Sequence, residues 1–205
     1  MKHLPSLVLL GVLGTTAAAL AAPPGARDPD WPCFQIKVPN LSLGAVWTGP
    51  PVDAFAQTWS QDPAVADLVG RLVQRRMPMD EARRAIDDFA ARSGGRRHDR
   101  LLAVMAGVFD ALNTERASVL AGLDRYGRRQ KFLAEQVRDE LDALHAQQAS
   151  ATQDEQAIAQ AAAKVTWDAR IFEDRRQSVS AACEIPTRIE QRFFALAQAI
   201  QQALG

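Results

Sequence analysis

The chain has 205 residues, of which 24 are lysine or arginine and 24 are aspartate or glutamate, so its formal net charge is zero. This balance gives no reason to expect nucleic acid as a partner, because nucleic-acid-binding proteins are usually basic. The apolar fraction of 47% and the charged fraction of 23% are those of a folded chain and exclude a disordered one. Few aromatic residues and many alanines, glutamines and arginines favour helices over sheets.

Residues 1–21 have the pattern of a secretory signal peptide. Lys2 provides a positive start, residues 7–20 form an apolar run, and Ala19 and Ala21 are the small residues that signal peptidase requires. The run has about 14 residues, whereas spanning a bilayer takes about 20. The sequence therefore predicts export, cleavage after Ala21, a periplasmic location and no membrane span in the mature chain.

Export changes how the two cysteines are interpreted. Disulfides persist in oxidising compartments, and Cys33 and Cys183 are the only pair that one chain offers. No CxxC spacing points to a redox site. We predict a structural disulfide, with two free thiols or an intermolecular bridge as the alternatives. The bridge would join the N-terminal segment to the junction between the last two helices.

Residues 22–61 are predicted to form an extended N-terminal arm. Seven prolines within residues 22–51 exclude a long helix, and Phe34, Ile36 and Val38 alternate with polar residues as they would in a strand. Because no second strand is available for pairing, we expect this arm to lie on the helices. The expected anchoring side chains are Trp31, Leu41, Leu43, Val46 and Trp47.

The signals from residue 62 to residue 205 are helical throughout. Asp62 followed by Pro63 is typical of a helix start, and the apolar stripe that follows ends before Pro78. Asp80 is predicted to cap a second helix, which ends at the Ser-Gly-Gly sequence of residues 93–95.

Residues 98–147 predict one helix of nearly fifty residues. The alternative is a helix that bends or breaks at residues 113–114 or at one of the glycines at 107, 122 and 127. Thirteen positions in this stretch are separated alternately by three and four residues, as are the positions that form the contact seam of a coiled coil. Ten of these thirteen seam positions are apolar. Two polar seam residues, Arg116 and Gln130, are interpreted as setting the helix register. The seam consists of Leu102, Met105, Phe109, Leu112, Arg116, Val119, Leu123, Tyr126, Gln130, Leu133, Val137, Glu140 and Leu144.

Two further helices complete the prediction. Thr152 with Glu155, and Thr187 with Glu190, are capping boxes that mark their starts. Apolar residues seven apart in the first of them match the seam of the long helix, and so predict an antiparallel hairpin joined near residues 147–151. The predicted fold is therefore all-α: a helical bundle built on a long antiparallel coiled-coil hairpin, with the Pro- and Trp-rich arm lying on it.

Groups that could carry catalysis are sparse in this sequence. His98 and His145 are far apart, and no cluster of His, Cys, Asp or Glu has the spacing of a zinc site. Phosphate-binding loops, nucleophile elbows and dinucleotide fingerprints are also absent. The sequence predicts a protein that is not an enzyme and has no catalytic, cofactor-binding or metal-binding residues. An unrecognised hydrolase or transferase is the alternative.

Two parts of the chain are candidate binding surfaces. One is a basic cluster with Arg96, Arg97 and Arg100, which could hold an anion or lipid headgroups, or only keep a loop solvated. The other is the arm around Trp31 and Trp47, for which a purely structural role is the alternative. Its strings DWPC, VPNLS and VWTGPP, and more weakly the later string CEIP, resemble those of uncharacterised exported proteobacterial proteins. That resemblance implies no activity.

The predicted function is protein binding. The long hairpin offers an extended surface for another exported or membrane-associated protein, so the chain would act as a periplasmic accessory, adaptor or assembly factor. The alternative is a small-ligand or metal-binding protein, with a pocket between the arm and the helices lined by Trp31, Trp47 and Trp167. Exposed seam residues could also be buried in a homodimer.

Overall fold

A computed structural model of the chain describes residues 28–152 and 154–205. The predicted signal peptide and the start of the arm lie outside these ranges. The described residues contain no β-strand, which confirms the all-α prediction, and none of their helices is both long and apolar enough to cross a membrane. The α-helices are α1 (Pro63–Leu72), α2 (Met79–Arg92), α3 (Arg97–Gln148), α4 (Glu155–Cys183) and α5 (Ile185–Leu204).

The arm lies against the helices, but its described part is not extended throughout. Short 3-10 turns at Leu43–Ala45, Asp53–Phe55 and Trp59–Gln61 interrupt it, where the sequence predicted an extended chain. Prolines exclude a long helix but allow single turns between them. Leu41 and Trp47 are buried, as expected for anchoring side chains.

The starts of α1 and α2 follow the sequence only in part. Asp62 caps α1 as predicted, and its Oδ1 accepts a hydrogen bond of 3.0 Å from the backbone N–H of Ala64. The predicted cap of α2 is wrong, because Asp80 lies inside that helix, whose first residue is Met79. Pro78 is extended and precedes the helix directly, so Asp80 instead places its charge near the positive end of the helix dipole.

The predicted capping boxes of α4 and α5 are both wrong. Asp154, not the threonine two residues earlier, caps α4, and its Oδ1 accepts hydrogen bonds of 3.1 Å from the backbone N–H groups of Gln156 and Ala157. Helix α5 begins at Ile185, so Thr187 lies within its first turn. Only one residue separates α4 from α5, which leaves no room for a separate capping segment.

The prediction of one helix of nearly fifty residues is confirmed, and the structure shows that this helix is continuous. Helix α3 has 52 residues and is about 78 Å long at 1.5 Å per residue. Every predicted seam position in it is buried or partly buried. Helix α4 returns antiparallel to it: Nε2 of Gln130 donates a 2.8 Å hydrogen bond to the carbonyl oxygen of Phe172, and the hydroxyl of Tyr126 donates to that of Arg175.

The core lies at one end of this hairpin. Residues 101–108 of α3 are all buried, so this part of the helix is covered on every side, by α1, α2, α5 and the arm. Helix α5 reaches the start of α3, where Arg97 donates a hydrogen bond to the carbonyl oxygen of Ala203. The outer part of α3 is paired with α4, and Cys183 is the one buried residue of α4 within the described ranges. The molecule is therefore a helical base with a projecting two-helix hairpin.

The arm crosses α3 at Gly127, where only a glycine fits. A Cβ atom there would overlap the carbonyl oxygen of Asp30 and would lie 3.2 Å from Cδ of Pro32. We expect Gly127→Ala to displace the arm and lower the free energy of unfolding by about 1–2 kcal/mol, an overpacking cost that exceeds the gain in helix propensity. Urea denaturation measures this change.

Gly122→Ala on the same helix is the matched control. The nearest atom to a Cβ there is Nη2 of Arg125 at 3.8 Å, so the added methyl group has room. We expect this substitution to stabilise the protein by about 0.5–1 kcal/mol, because alanine favours the helix over glycine. Stabilisation by both substitutions would contradict the close contact between the arm and Gly127.

Candidate binding surfaces

The structure does not bring together the three tryptophans of the predicted pocket. The indole N–H of Trp31 donates a 2.7 Å hydrogen bond to the carbonyl oxygen of Gln35, in the part of the arm that crosses α3. Trp47 is buried in the core at the base, where its N–H donates to the carbonyl oxygen of Pro50 at 2.8 Å. Trp167 is in the middle of α4 and is 64% exposed. Each therefore belongs to a different region of the molecule.

The arginines of the predicted basic cluster are mostly engaged within the fold. Arg100 forms a two-pronged ion pair with Asp62, with distances of 2.9 and 3.0 Å, and so links the start of α3 to the start of α1. Arg97 is bound to the carbonyl oxygen of Ala203. Arg96 is exposed and forms no ion pair with any residue that the structure describes.

A cavity of about 570 Å³ lies beside this cluster. Its lining includes the carboxylates of Asp62 and Asp99 as well as the guanidinium groups of Arg96 and Arg100. Positive and negative groups are balanced there, and the pair between Asp62 and Arg100 is already satisfied. The geometry therefore gives this cavity no preference for an anion.

The ion pair between Asp62 and Arg100 makes stability depend on pH. The hydrogen bond from Arg100 holds the pKa of the Asp62 carboxyl below its usual range. A carboxyl whose pKa is lower in the folded state stabilises the fold at pH values above its unfolded pKa of about 4, and this contribution is lost as the pH falls through the lowered pKa.

We expect Asp62→Asn to lower the free energy of unfolding at neutral pH, since asparagine keeps the helix cap but loses the charge. The difference in the free energy of unfolding between the wild type and this variant should shrink progressively below about pH 4. Chemical denaturation across a pH series measures it. An equal deficit at neutral and acidic pH would show that the ion pair is not its cause.

Four polar side chains form a cluster on one side of the hairpin. Nε2 of Gln136 donates hydrogen bonds to Glu140 at 2.9 Å and to Asp168 at 3.5 Å. Lys164 pairs with the same two carboxylates, at 2.7 Å from Asp168, and this pairing lowers the pKa of Asp168. Because Gln136 of α3 and Lys164 of α4 contact the same two residues, they lie on the same side of the hairpin.

Two large aromatic side chains are exposed on this same side. Phe132 is 66% exposed and lies four residues before Gln136, while Trp167 is 64% exposed and lies three residues after Lys164. Residues three or four apart share a helix face. Ile171, half-buried and four residues after Trp167, lies on that face as well. We call Phe132, Trp167 and Ile171 the hairpin patch.

Two arginines extend the hairpin patch towards the base. Arg129 precedes Phe132 by three residues and Arg125 precedes it by seven, so both share its helix face. Both are exposed, and neither forms an ion pair with a residue in the described ranges. One acidic residue, Asp174, lies on α4 three residues after Ile171 and is likewise without an ion pair among the described residues. This end of the patch is therefore net positive.

A second exposed apolar segment lies in the arm. Phe34 is 97% exposed and Ile36 is 87% exposed. Gln35 between them donates a hydrogen bond to the carbonyl oxygen of Cys183, which fixes the backbone there. The Cys33–Cys183 disulfide, predicted from the sequence, is present with a Cα–Cα distance of 5.6 Å. A groove of about 800 Å³ runs beside it, between the arm and the junction of α4 with α5.

Sequence reasoning placed the candidate surface on the arm and the basic cluster and missed Phe132. The signal was available, because Phe132 is a large aromatic residue outside the seam spacing, and such positions normally face solvent. Trp167 was named, but as part of a pocket that its position does not allow it to share with Trp31 and Trp47.

No group of three His, Cys, Asp or Glu side chains in the described ranges is placed to hold a metal ion. Comparison of the chain with models of known protein families, with curated proteins and with solved structures finds no match. Function must therefore be inferred from the geometry of the molecule itself.

Proposed function

We propose that this chain is a non-enzymatic accessory protein that binds another exported protein. The observation that carries the proposal is the hairpin patch, with two aromatic side chains each about two-thirds exposed on one side of the projecting hairpin. Buried aromatic side chains supply much of the binding energy of protein interfaces. Exposed clusters of this kind mark interaction sites more often than single exposed residues do.

The construction of the molecule supports this role. The outer parts of α3 and α4 are covered mainly by one another, whereas their base is anchored by α1, α2 and α5. The disulfide and the hydrogen bond from Gln35 to Cys183 fasten the arm to the end of α4 at the base. A partner that docks on the outer hairpin would therefore meet two long helices whose orientation is already set.

The same proposal places the protein in the periplasm. A disulfide between Cys33 and Cys183 persists in an oxidising compartment. The predicted signal peptide, cleaved after Ala21, would deliver the chain there. The disulfide and the predicted signal peptide both support export of this chain. Its binding partner must then be exported as well.

Photo-crosslinking in cells tests the proposal. A photo-reactive amino acid is placed at Phe132, Trp167 or Phe34, and at exposed Asp88 on α2 as a control position. We expect one dominant exported protein to be captured from at least one apolar position and not from Asp88, and to co-purify with the wild type. Capture of nothing but this chain, or equal capture from every position, would contradict the proposal.

Small-ligand binding is a second candidate function, favoured by the groove beside the disulfide. With a volume of about 800 Å³, and with Phe34 in its lining, the groove has the size of a ligand pocket. A ligand that binds the folded state raises its melting temperature. A thermal-shift panel of metabolites and metal ions should show such an increase, and Phe34→Ala should remove it; no response from any compound would rule this candidate out.

A further inference from the structure

We infer that the occupant of the hairpin patch is an amphipathic helix with acidic residues at one end, which packs between α3 and α4 as a third helix. This inference rests on the proposed function and specifies its surface and the chemistry of the partner. Three features of the hairpin lead to it: the side that is open, the length of the patch, and its charge.

The open side follows from the position of the arm. The arm contacts Gly127 through Asp30 and Pro32. Gly127 lies nine residues before Gln136, which corresponds to two and a half helical turns and therefore to the opposite side of α3. The arm thus covers one flank of the hairpin at this level, while the flank with Phe132 and Trp167 stays exposed. A groove between two antiparallel helices accepts a further helix lengthwise.

The length of the patch suits about three helical turns. Hydrogen bonds from Gln130 to Phe172 and from Gln136 to Asp168 set the register of the hairpin and place Trp167 level with Gln136. The patch then extends along α3 from Arg125 to this level, which is about 16 Å at 1.5 Å per residue. Apolar residues of the incoming helix would meet its aromatic centre.

The charge of the patch sets the direction of the incoming helix. Arg125 and Arg129 lie at the end nearer the base and have no ion-pair partner in the described ranges, whereas Lys164 at the other end is neutralised by Glu140 and Asp168. Arginine pairs well with carboxylates, often through two hydrogen bonds. The acidic end of the partner helix would therefore face the base of the molecule.

Two synthetic amphipathic helical peptides of about 20 residues test this chemistry. They share one leucine stripe, and at one end the first carries glutamates where the second carries lysines. We expect the fluorescently labelled glutamate peptide to bind the wild type at least tenfold more tightly at low salt, in an anisotropy titration. This preference should shrink in about 1 M salt, where the screening length is about 3 Å. Failure of both peptides to bind, or equal binding of both, would overturn the inference.

Alanine variants test the aromatic centre. Phe132→Ala and Trp167→Ala should each weaken binding of the glutamate peptide by at least tenfold, as expected for buried aromatic residues at an interface. Leu141→Ala is the matched control, because Leu141 is also exposed but lies nine residues after Phe132, on the opposite side of α3. Circular dichroism checks that each variant is folded. Equal loss in all three variants would show that binding does not use the patch.

A charge reversal tests the arginines. Arg125→Glu combined with Arg129→Glu should weaken binding of the glutamate peptide at least tenfold and should allow the lysine peptide to bind. Arg138→Glu is the control, since Arg138 is exposed and has no ion pair among the described residues, but lies on the other side of α3. We expect less than a threefold change there. If Arg138→Glu weakens peptide binding as much per charge as the double variant does, the affinity depends only on the net charge of the protein. That result would overturn the inference.

Other occupants give different results. If the wild type sediments as a dimer that Trp167→Ala dissociates, the patch joins two copies of this chain and the inference is wrong. Binding to phosphatidylglycerol vesicles that is lost in Trp167→Ala would instead assign the patch to a membrane surface.

In cells, capture of an exported partner from Phe34 but not from Phe132 or Trp167 would refute this inference and leave the proposed function standing. Capture from no position would refute the proposed function itself.

Discussion

Replacement of both Cys33 and Cys183 by serine is expected to lower the free energy of unfolding by about 5 kcal/mol. The disulfide joins residues separated by 150 positions, so its loss releases a very long loop in the unfolded chain and increases the entropy of that state. For a domain of this size each kcal/mol corresponds to about 2–4 °C, so the melting temperature should fall by about 10–20 °C. Thermal and urea denaturation both measure the change.

Reduction of the wild type provides the control for this prediction. A reducing agent should lower the melting temperature of the wild type to about that of the Cys33→Ser, Cys183→Ser variant, and should not affect the variant. The arm should also become more sensitive to proteases around Phe34, because no covalent bond then holds Cys33 beside Cys183. If the variant melts at the wild-type temperature, the bridge contributes nothing to stability and the entropic explanation is wrong.

The hairpin could be predicted because its signal is local and repeated. The spacing of apolar residues in α3 extends over thirteen positions, so no single exception, such as Arg116 or Glu140, changes the period. Helix starts are different, because they depend on one or two residues. Thr152 and Asp154 are both suitable N-cap residues for α4. The sequence alone does not show which of them caps the helix.

The candidate surface could be predicted only in part, because exposure depends on contacts between distant residues. Arg100 belongs to a basic run in the sequence, yet Asp62, which is 38 positions earlier, neutralises it. The hairpin patch depends on the register between α3 and α4, since Phe132 and Trp167 share a side only because Gln136 and Lys164 meet the same carboxylates. Periodicity within one helix contains no information on that register.

Arg116 combines a predictable position with an unpredictable set of partners. It was expected on the seam as a residue that sets register, and its side chain is only 3% exposed. Its guanidinium forms an ion pair with Glu190 of α5 and donates a hydrogen bond to the carbonyl oxygen of Val38 in the arm, so it joins three segments of the chain. Its Nε has no hydrogen-bond partner among the described residues.

We expect Glu190→Ala to lower the free energy of unfolding by about 3 kcal/mol, because it leaves the charge of Arg116 buried without a counter-ion. This value is at the lower end for a broken buried pair, since Glu190 is itself half-exposed and water can replace part of its charge. Asp67→Ala is the control, because it breaks an exposed pair with Arg71 and should cost no more than about 0.5 kcal/mol. Urea denaturation compares the two.

Arg116→Met separates the buried charge from the packing around it. Methionine fills much of the same volume without a charge, so this variant should be more stable than Glu190→Ala. Adding Arg116→Met to Glu190→Ala should then restore part of the lost stability, which a double-mutant cycle measures. If Arg116→Met is instead the more damaging single change, the hydrogen bond to Val38 contributes more than the buried charge costs. The main role of Arg116 would then be to hold the arm on α3.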